Sequence, residues 1–116
     1  MRKVTENTVT AFLAGQKYAE GNTYTDGNTL YLHGNAIAWH DGQGDVVFTM
    51  AGWPSVTTRE RLNGLFDMLG PAPFGISQRD HEQCFVWRGD AVLPVGTSTE
   101  YTFSDIMTET QKEWAK

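Results

Sequence analysis

A single cysteine, Cys84, leaves no partner for an intramolecular disulfide and no thiolate set for a zinc cage. Followed by Phe85, Val86 and Trp87, it reads as a small apolar core residue. Long apolar runs are also lacking, and none nears the roughly 20 residues a bilayer helix requires, so no membrane span is expected. The opening Met1-Arg2-Lys3-Val4-Thr5-Glu6 leads into polar sequence without the apolar centre of a secretory signal, and a cytoplasmic site of action is expected. Basic residues are scarce: nine Lys and Arg against fourteen Asp and Glu give a net charge of −5. That balance argues against wrapping duplex nucleic acid through phosphate contacts. The acids are scattered between Gly and Thr residues and form no dense stripe, so the charge reads as a solubility term. With no repeat, linker or low-complexity tract, and with 40% hydrophobic and 20% charged residues, the 116 residues are expected to form one domain, 1–116.

What is present is a succession of short elements. Thr5 is placed to cap a helix through Val9, Phe12 and Leu13, with Gly15 at the left-handed position that ends it. From Asn22 to Ala51, Gly, Asn and Asp separate β-favouring runs at Thr23–Thr25, Leu30–His33, Ala36–His40 and Val46–Met50, the pattern of an antiparallel meander. With Gly34-Asn35 as a two-residue II′ turn, His33 faces Ala36, Leu32 faces Ile37 and Leu30 faces Trp39. With Asp41–Gly44 as a four-residue loop, His40 faces Asp45 and Ile37 faces Phe48. Both turns then gather Leu30, Leu32, Ile37, Trp39, Val46 and Phe48 on one face.

A second helix carries Thr57 and Glu60 as a capping box and Leu62, Leu65, Phe66 and Leu69 at i, i+3, i+4, i+7, stops at Gly70-Pro71, and should cover that face. After a loop Pro71–Gly75, strands near Ile76–Arg79, Cys84–Arg88 and Ala91–Val95 turn at Asp80–Gln83 and Gly89-Asp90. They are apolar on both sides, Phe85, Trp87 and Val92 on one and Cys84, Val86 and Leu93 on the other. Ser104 is placed to cap a last amphipathic helix with Ile106, Met107 and Trp114. The fold class expected is α+β: an antiparallel β-meander covered by helices, with a second C-terminal β-hairpin and a terminal helix.

The residues that could carry chemistry resolve mostly into structure. His33, His40 and His81, and the i, i+3 pair His81 and Cys84, invite a metal reading. In the register above, His33 and His40 lie roughly 13 Å apart, too far for one ion with ~2 Å bonds. No metal and no other cofactor is therefore expected. Asp41-Gly42-Gln43-Gly44-Asp45 matches the start of a calcium loop, but Val46 and Gly52 stand where a glycine and a bidentate glutamate are needed. Neither glycine-rich phosphate-loop pattern occurs. No Ser, His and acid share a local signature, and no catalytic residue is assigned. Three features suit binding better. Thr58, Arg59 and Arg61 at a helix start offer an anion site, Trp53 beside Pro54 offers a stacking ring, and Phe85 and Trp87 offer anchors for a partner if their hairpin stays open.

Three segments together carry a resemblance: Asn22-Thr23-Tyr24-Thr25-Asp26-Gly27, then Leu30–Ala38 with its Leu-x-Leu-x-Gly-Asn-x-Ile-Ala pattern, then Gly52-Trp53 leading to Thr57-Thr58-Arg59-Glu60-Arg61-Leu62-Asn63. The chain resembles a family of small proteins of tailed bacteriophages over residues 4–95, leaving Thr97–Lys116 as a C-terminal extension expected to be helical. The resemblance implies a phage protein, implies no particular activity, and transfers no role to any residue. Two functions then stand. One is a small non-enzymatic bacteriophage accessory protein that binds a host or phage protein in the host cytoplasm, through the open sheet face or the second hairpin, or that self-associates as a homodimer. The other is a nucleic-acid-binding module, suggested by the helix, three strands, helix order of double-stranded RNA-binding domains. The acidic charge and the lack of a lysine-rich helix start disfavour it.

Overall fold

The computed structural model describes residues 1–70 and 73–116, so the expected stop at Pro71 and the loop through Ala72 lie outside the described residues. In chain order the elements are α1 (Lys3–Leu13), β1 (Lys17–Glu20), β2 (Thr23–Asp26), β3 (Thr29–Leu32), β4 (Asn35–His40), β5 (Val46–Phe48), α2 (Val56–Leu69), β6 (Phe74–Arg79), β7 (Glu82–Trp87), β8 (Asp90–Pro94), β9 (Tyr101–Thr102) and α3 (Phe103–Trp114). The strands form an antiparallel six-stranded sheet, β1-β2-β3-β4-β5-β9, and an antiparallel three-stranded sheet, β6-β7-β8. This is the α+β architecture expected from the sequence, with β1 and β9 added at the two edges of the meander.

Helix α1 ends as expected: Gly15 takes φ +70°, and a Schellman pair closes the last turn, Gly15 N–H to Phe12 O at 3.1 Å and Gln16 N–H to Ala11 O at 2.8 Å. Its start differs. The N-cap is Arg2 without a side-chain bond, and Thr5 lies inside the helix, fully buried.

The meander hairpin also differs by one residue. His33 (φ 52°) and Gly34 (φ 81°) are both left-handed, the signature of a type I′ turn, in place of the II′ turn at Gly34-Asn35. Leu32 therefore pairs with Asn35 and Tyr31 with Ala36. A bulge at Ile37 then inverts the alternation of β4, so that Leu30 pairs with Ala38 and Thr29 with Trp39. The β4–β5 loop is five residues, closed by Asp41 N–H to Asp45 O at 3.1 Å, and His40 pairs with Val46, not with Asp45. Leu30, Leu32, Ile37, Val46 and Phe48 are buried on one face as expected. Trp39 is the exception: it turns to the other face and Ala38 takes its place inside. His40 points inward too, its ring stacked on Phe12 at 4.3 Å and its Nε2 2.8 Å from the Phe12 carbonyl oxygen.

Helix α2 begins with Ser55 as N-cap, whose Oγ accepts the Thr58 N–H at 3.1 Å, so the Thr57–Glu60 capping box does not form. Its Phe66 meets Phe48 of the large sheet at 4.7 Å, Phe74 of the small sheet at 4.8 Å and Phe103 of α3 at 5.7 Å. One aromatic cluster thus joins both sheets and two helices. In the small sheet the turns Asp80-His81 (φ 50° and 67°) and Arg88-Gly89 (φ 51° and 84°) are again left-handed pairs. A bulge at Val92 sets Leu93 opposite Phe85, on the core side, and not with Cys84. Ser104 lies one residue inside α3 and caps nothing; its hydroxyl donates to the Asp45 carboxylate and ties α3 to the β4–β5 loop. At the far end Trp114 Nε1 donates to Asp90 at 3.0 Å while Arg88 lies over its ring.

Helices α1 and α2 cross at Gly64, where an added Cβ would sit 2.4 Å from the Thr5 methyl group. Thr5 is fully buried and its hydroxyl is bonded to Glu60 and Arg61, so it has nowhere to move. Alanine is the better helix former by about 1 kcal/mol, yet Gly64→Ala is expected to destabilise by about 1–3 kcal/mol through overpacking. Urea unfolding followed by circular dichroism reads the sign directly.

Candidate functional site

The helix start expected to bind an anion is occupied by the protein itself. Arg61 is 2% exposed. Its Nε donates to Thr23 Oγ1 at 2.9 Å, and its Nη1 donates to Thr5 Oγ1 at 3.0 Å and pairs with Glu60. Burial pushes the Glu60 carboxyl up, but hydrogen bonds from the Thr5 hydroxyl and the Arg2 N–H, with the Arg61 guanidinium, outweigh it and hold the group below the ordinary glutamate range. The set ties α1, α2 and β2 together and leaves no donor facing solvent for a ligand. Thr58 is buried, its hydroxyl on Ser55 Oγ at 2.9 Å. Arg59 reaches out to the small sheet, donating to Gln83 at 3.0 Å and Gln78 at 3.2 Å.

Phe85 and Trp87 are core residues, 1% and 7% exposed. Phe85 stacks on Phe74 at 5.7 Å and meets Tyr101 edge-on at 5.1 Å. Their hairpin is turned inward, so these two rings are not presented to a partner. Among the described residues no group of three His, Cys, Asp or Glu side chains is placed to hold a metal ion. No described helix is long and apolar enough to cross a membrane.

The large sheet presents a different surface. Its inner face receives Phe12, Phe66 and Phe85 from the rest of the molecule. Strand alternation sends Tyr24, Tyr31, Ala36, Trp39, Val47 and Thr102 to the outer face, and none of them is buried. Tyr24 and Tyr31 are cross-strand partners with rings stacked at 4.6 Å, and Tyr24 is 40% exposed. Trp39 and Val47 pair beside them. Tyr and Trp combine apolar area with a polar tip and are enriched where proteins meet. Regular alternation along β4 predicts Trp39 in the core, on the side of Ile37. The His33-Gly34 turn alone would leave Trp39 on the side of Leu32 and Ile37; the bulge at Ile37, which no local sequence feature marks, inverts the alternation beyond it and turns Trp39 outward.

Trp53 stands apart from both surfaces. The turn before it, Met50 to Trp53, closes through Trp53 N–H to Met50 O at 2.9 Å with Ala51 at φ 53° and Gly52 at φ 79°. A left-handed alanine costs on the order of 1 kcal/mol, and Gly52 N–H to Thr97 O at 2.7 Å helps hold it. This turn lifts Trp53 to 62% exposure at the wall of a cavity of about 450 Å³. Leu32, Ile37 and Met50 form its floor, and His33, Asn35 and Thr57 contribute polar groups at the rim.

The fold and these surfaces define a small α+β protein with an aromatic sheet face left open and a separate cleft at the head of α2. A family model, described as Kyanoviridae Gp96 protein, matches residues 1–109. The chain belongs to that family and is a phage protein, as the resemblance implied. The match runs past residue 95 through β9 and into α3, so most of the C-terminal segment is family sequence. No curated protein and no solved structure matches the chain.

Proposed function

We propose that this phage protein is a non-enzymatic accessory protein that acts in the host cytoplasm by docking a host or phage protein on the outer face of its six-stranded sheet. The observation that carries the reading is the row of Tyr24, Tyr31 and Trp39 on a face to which the helices and the small sheet turn their backs. Buried aromatic anchors supply most of the binding energy of typical protein interfaces, and a flat sheet face suits a complementary flat or helical surface. The same face carries Lys17 and Asp26, one charge of each sign, which favours a mixed polar rim over the phosphate backbone of a nucleic acid.

The test is affinity capture from infected cells with the full chain tagged, run in parallel with the Tyr31→Ser/Trp39→Ser double variant. A phage or host protein enriched by the wild type and lost at least tenfold with the double variant, at unchanged thermal midpoint, supports the reading. A partner retained by the double variant contradicts it. Recovery of nucleic acid in a salt-dependent manner, with no enriched protein, replaces it with the nucleic-acid reading.

A further inference from the structure

The cleft beside Trp53 has the features of a small-molecule site, and it is separate from the sheet face proposed for protein docking. Its volume, about 450 Å³, falls in the range of roughly 300–1,000 Å³ that ligand pockets occupy, and its floor of Leu32, Ile37 and Met50 is apolar. One wall is the indole of Trp53, mostly exposed and held at the end of a turn that keeps Ala51 in a left-handed conformation. Such local strain persists where the surroundings over-determine it, and it concentrates at ligand clamps.

The polar groups narrow the ligand. Ser55 and Thr58 spend their hydroxyls on capping α2. Asn35 pairs with Leu32, so its half-buried amide points to the inner side of the hairpin, and it makes no hydrogen bond to any described residue. The Thr57 hydroxyl is likewise unpaired among the described residues and lies at the same rim. A primary amide presents a donor and an acceptor side by side in one plane, and it matches a partner with the complementary pair on a flat edge. Among the described residues no Lys, Arg, Asp or Glu lines the cavity, and the one ionisable side chain at its rim, His33, already has its Nε2 3.4 Å from the Asn22 amide, so a charged ligand group would find no permanent counter-charge there.

A flat ring to stack on indole, an adjacent donor and acceptor on its edge, and no net charge together describe a nucleobase. We propose that this cleft binds a nucleobase, with Trp53 stacking on its face and Asn35 reading its edge. Stacking on an aromatic side chain is tolerant of base identity, whereas the amide selects among edges, so the site has a preference without strict specificity. A base can come from a free nucleoside or from a single strand, and the acidic chain, at −5, favours the nucleoside.

The experiment is a titration of the ¹⁵N-labelled full chain with adenosine, guanosine, cytidine and uridine, with indole as the apolar control. At least one nucleoside is expected to saturate, with shifts confined to residues 32–37 and 50–58. Trp53→Ala should weaken that nucleoside about tenfold or more, while Asn35→Ala should weaken the nucleoside several-fold and leave indole unaffected. Neither side chain belongs to the core, and the thermal midpoint of each variant verifies the fold. Repeating the titration with a short single-stranded oligonucleotide distinguishes the sources: tighter binding than the nucleoside identifies a strand, and equal or weaker binding a free nucleoside. The proposal is overturned if no nucleoside saturates, if the shifts map elsewhere, or if Asn35→Ala leaves nucleoside binding unchanged.

Discussion

Phe85→Ala is expected to lower the unfolding free energy by about 3–5 kcal/mol, as large-to-small changes at fully buried aromatics do. Phe85 sits where the two sheets meet, against Phe48 at 6.1 Å, Phe74 at 5.7 Å and Tyr101 at 5.1 Å. Truncation removes the ring from all three at once, and the cavity cannot collapse, because those neighbours belong to three different strands, β5, β6 and β9. The same change at half-buried Trp39, on the outer face, should cost far less, about 1 kcal/mol or below. Urea denaturation of the two variants side by side tests the assignment of inside and outside. If Phe85→Ala were as stable as the parent and Trp39→Ala collapsed, the large sheet would be facing the wrong way.

Arg61→Met carries the second large effect, a loss of about 3–5 kcal/mol. Replacing only the arginine of this pair by an apolar residue of similar length keeps the packing, so the loss isolates the charge and its hydrogen bonds. Without the guanidinium, the Glu60 carboxylate loses its counter-ion, and the hydroxyls of Thr5 and Thr23 lose their shared donor. Adding Glu60→Gln to Arg61→Met should recover part of the loss, because an uncompensated charge near the core costs more than an absent pair. Acid titration reads the same network. The pKa of folded Glu60 lies below its unfolded value, so its contribution is present above the ordinary glutamate range and fades as pH falls through the depressed folded value. Asp45 behaves alike: burial opposes ionisation, but the Ser104 hydroxyl and the Val46 and Ser104 N–H groups prevail and lower its pKa, so α3 loosens in acid as well. The thermal midpoint should drop on acidification, and the drop should shrink in Glu60→Gln. A midpoint that rises on acidification would contradict the network.

The burial of the meander was legible in the sequence because apolar alternation marks the inner side chains whatever the turn geometry. Leu30, Leu32, Ile37, Val46 and Phe48 all lie where their spacing put them. What alternation could not show is which residue beside a glycine enters the left-handed region. His33 and Arg88 do so ahead of Gly34 and Gly89, and Asp80-His81 turns without any glycine. Each pair moves the register by one residue without changing which side chains face inward, and in two hairpins a bulge, at Ile37 and at Val92, then inverts the alternation beyond it. Bulges have no local sequence mark here, so plain alternation puts Trp39, Ala38 and Leu93 on the wrong sides. β1 and β9 carry no strand signal of their own because Lys17–Glu20 and Tyr101–Thr102 are short and hardly apolar; they are strands through pairing alone. The capping box failed for a tertiary reason: Glu60 satisfies its local pattern, but Thr5 and Arg61 claim its carboxylate. Arginine at a helix start reads as surface, and only the fold reveals that Thr5 and Thr23 enclose it. The candidate site shows the same division, since Trp53 was visible as an unpaired aromatic beside proline, whereas the cavity it borders exists only once Asn35 and Thr57 are brought together.

Hydroxyl-radical footprinting of the chain, free and bound to the partner recovered from infected cells, tests the central claim most directly. The account predicts that Tyr24, Tyr31 and Trp39 are oxidised in the free protein and protected on binding, that Phe85 is inert in both states, and that Trp53 reacts equally in both. Unchanged labelling of the three sheet-face aromatics, with protection appearing instead on the β6-β7-β8 sheet, would contradict it.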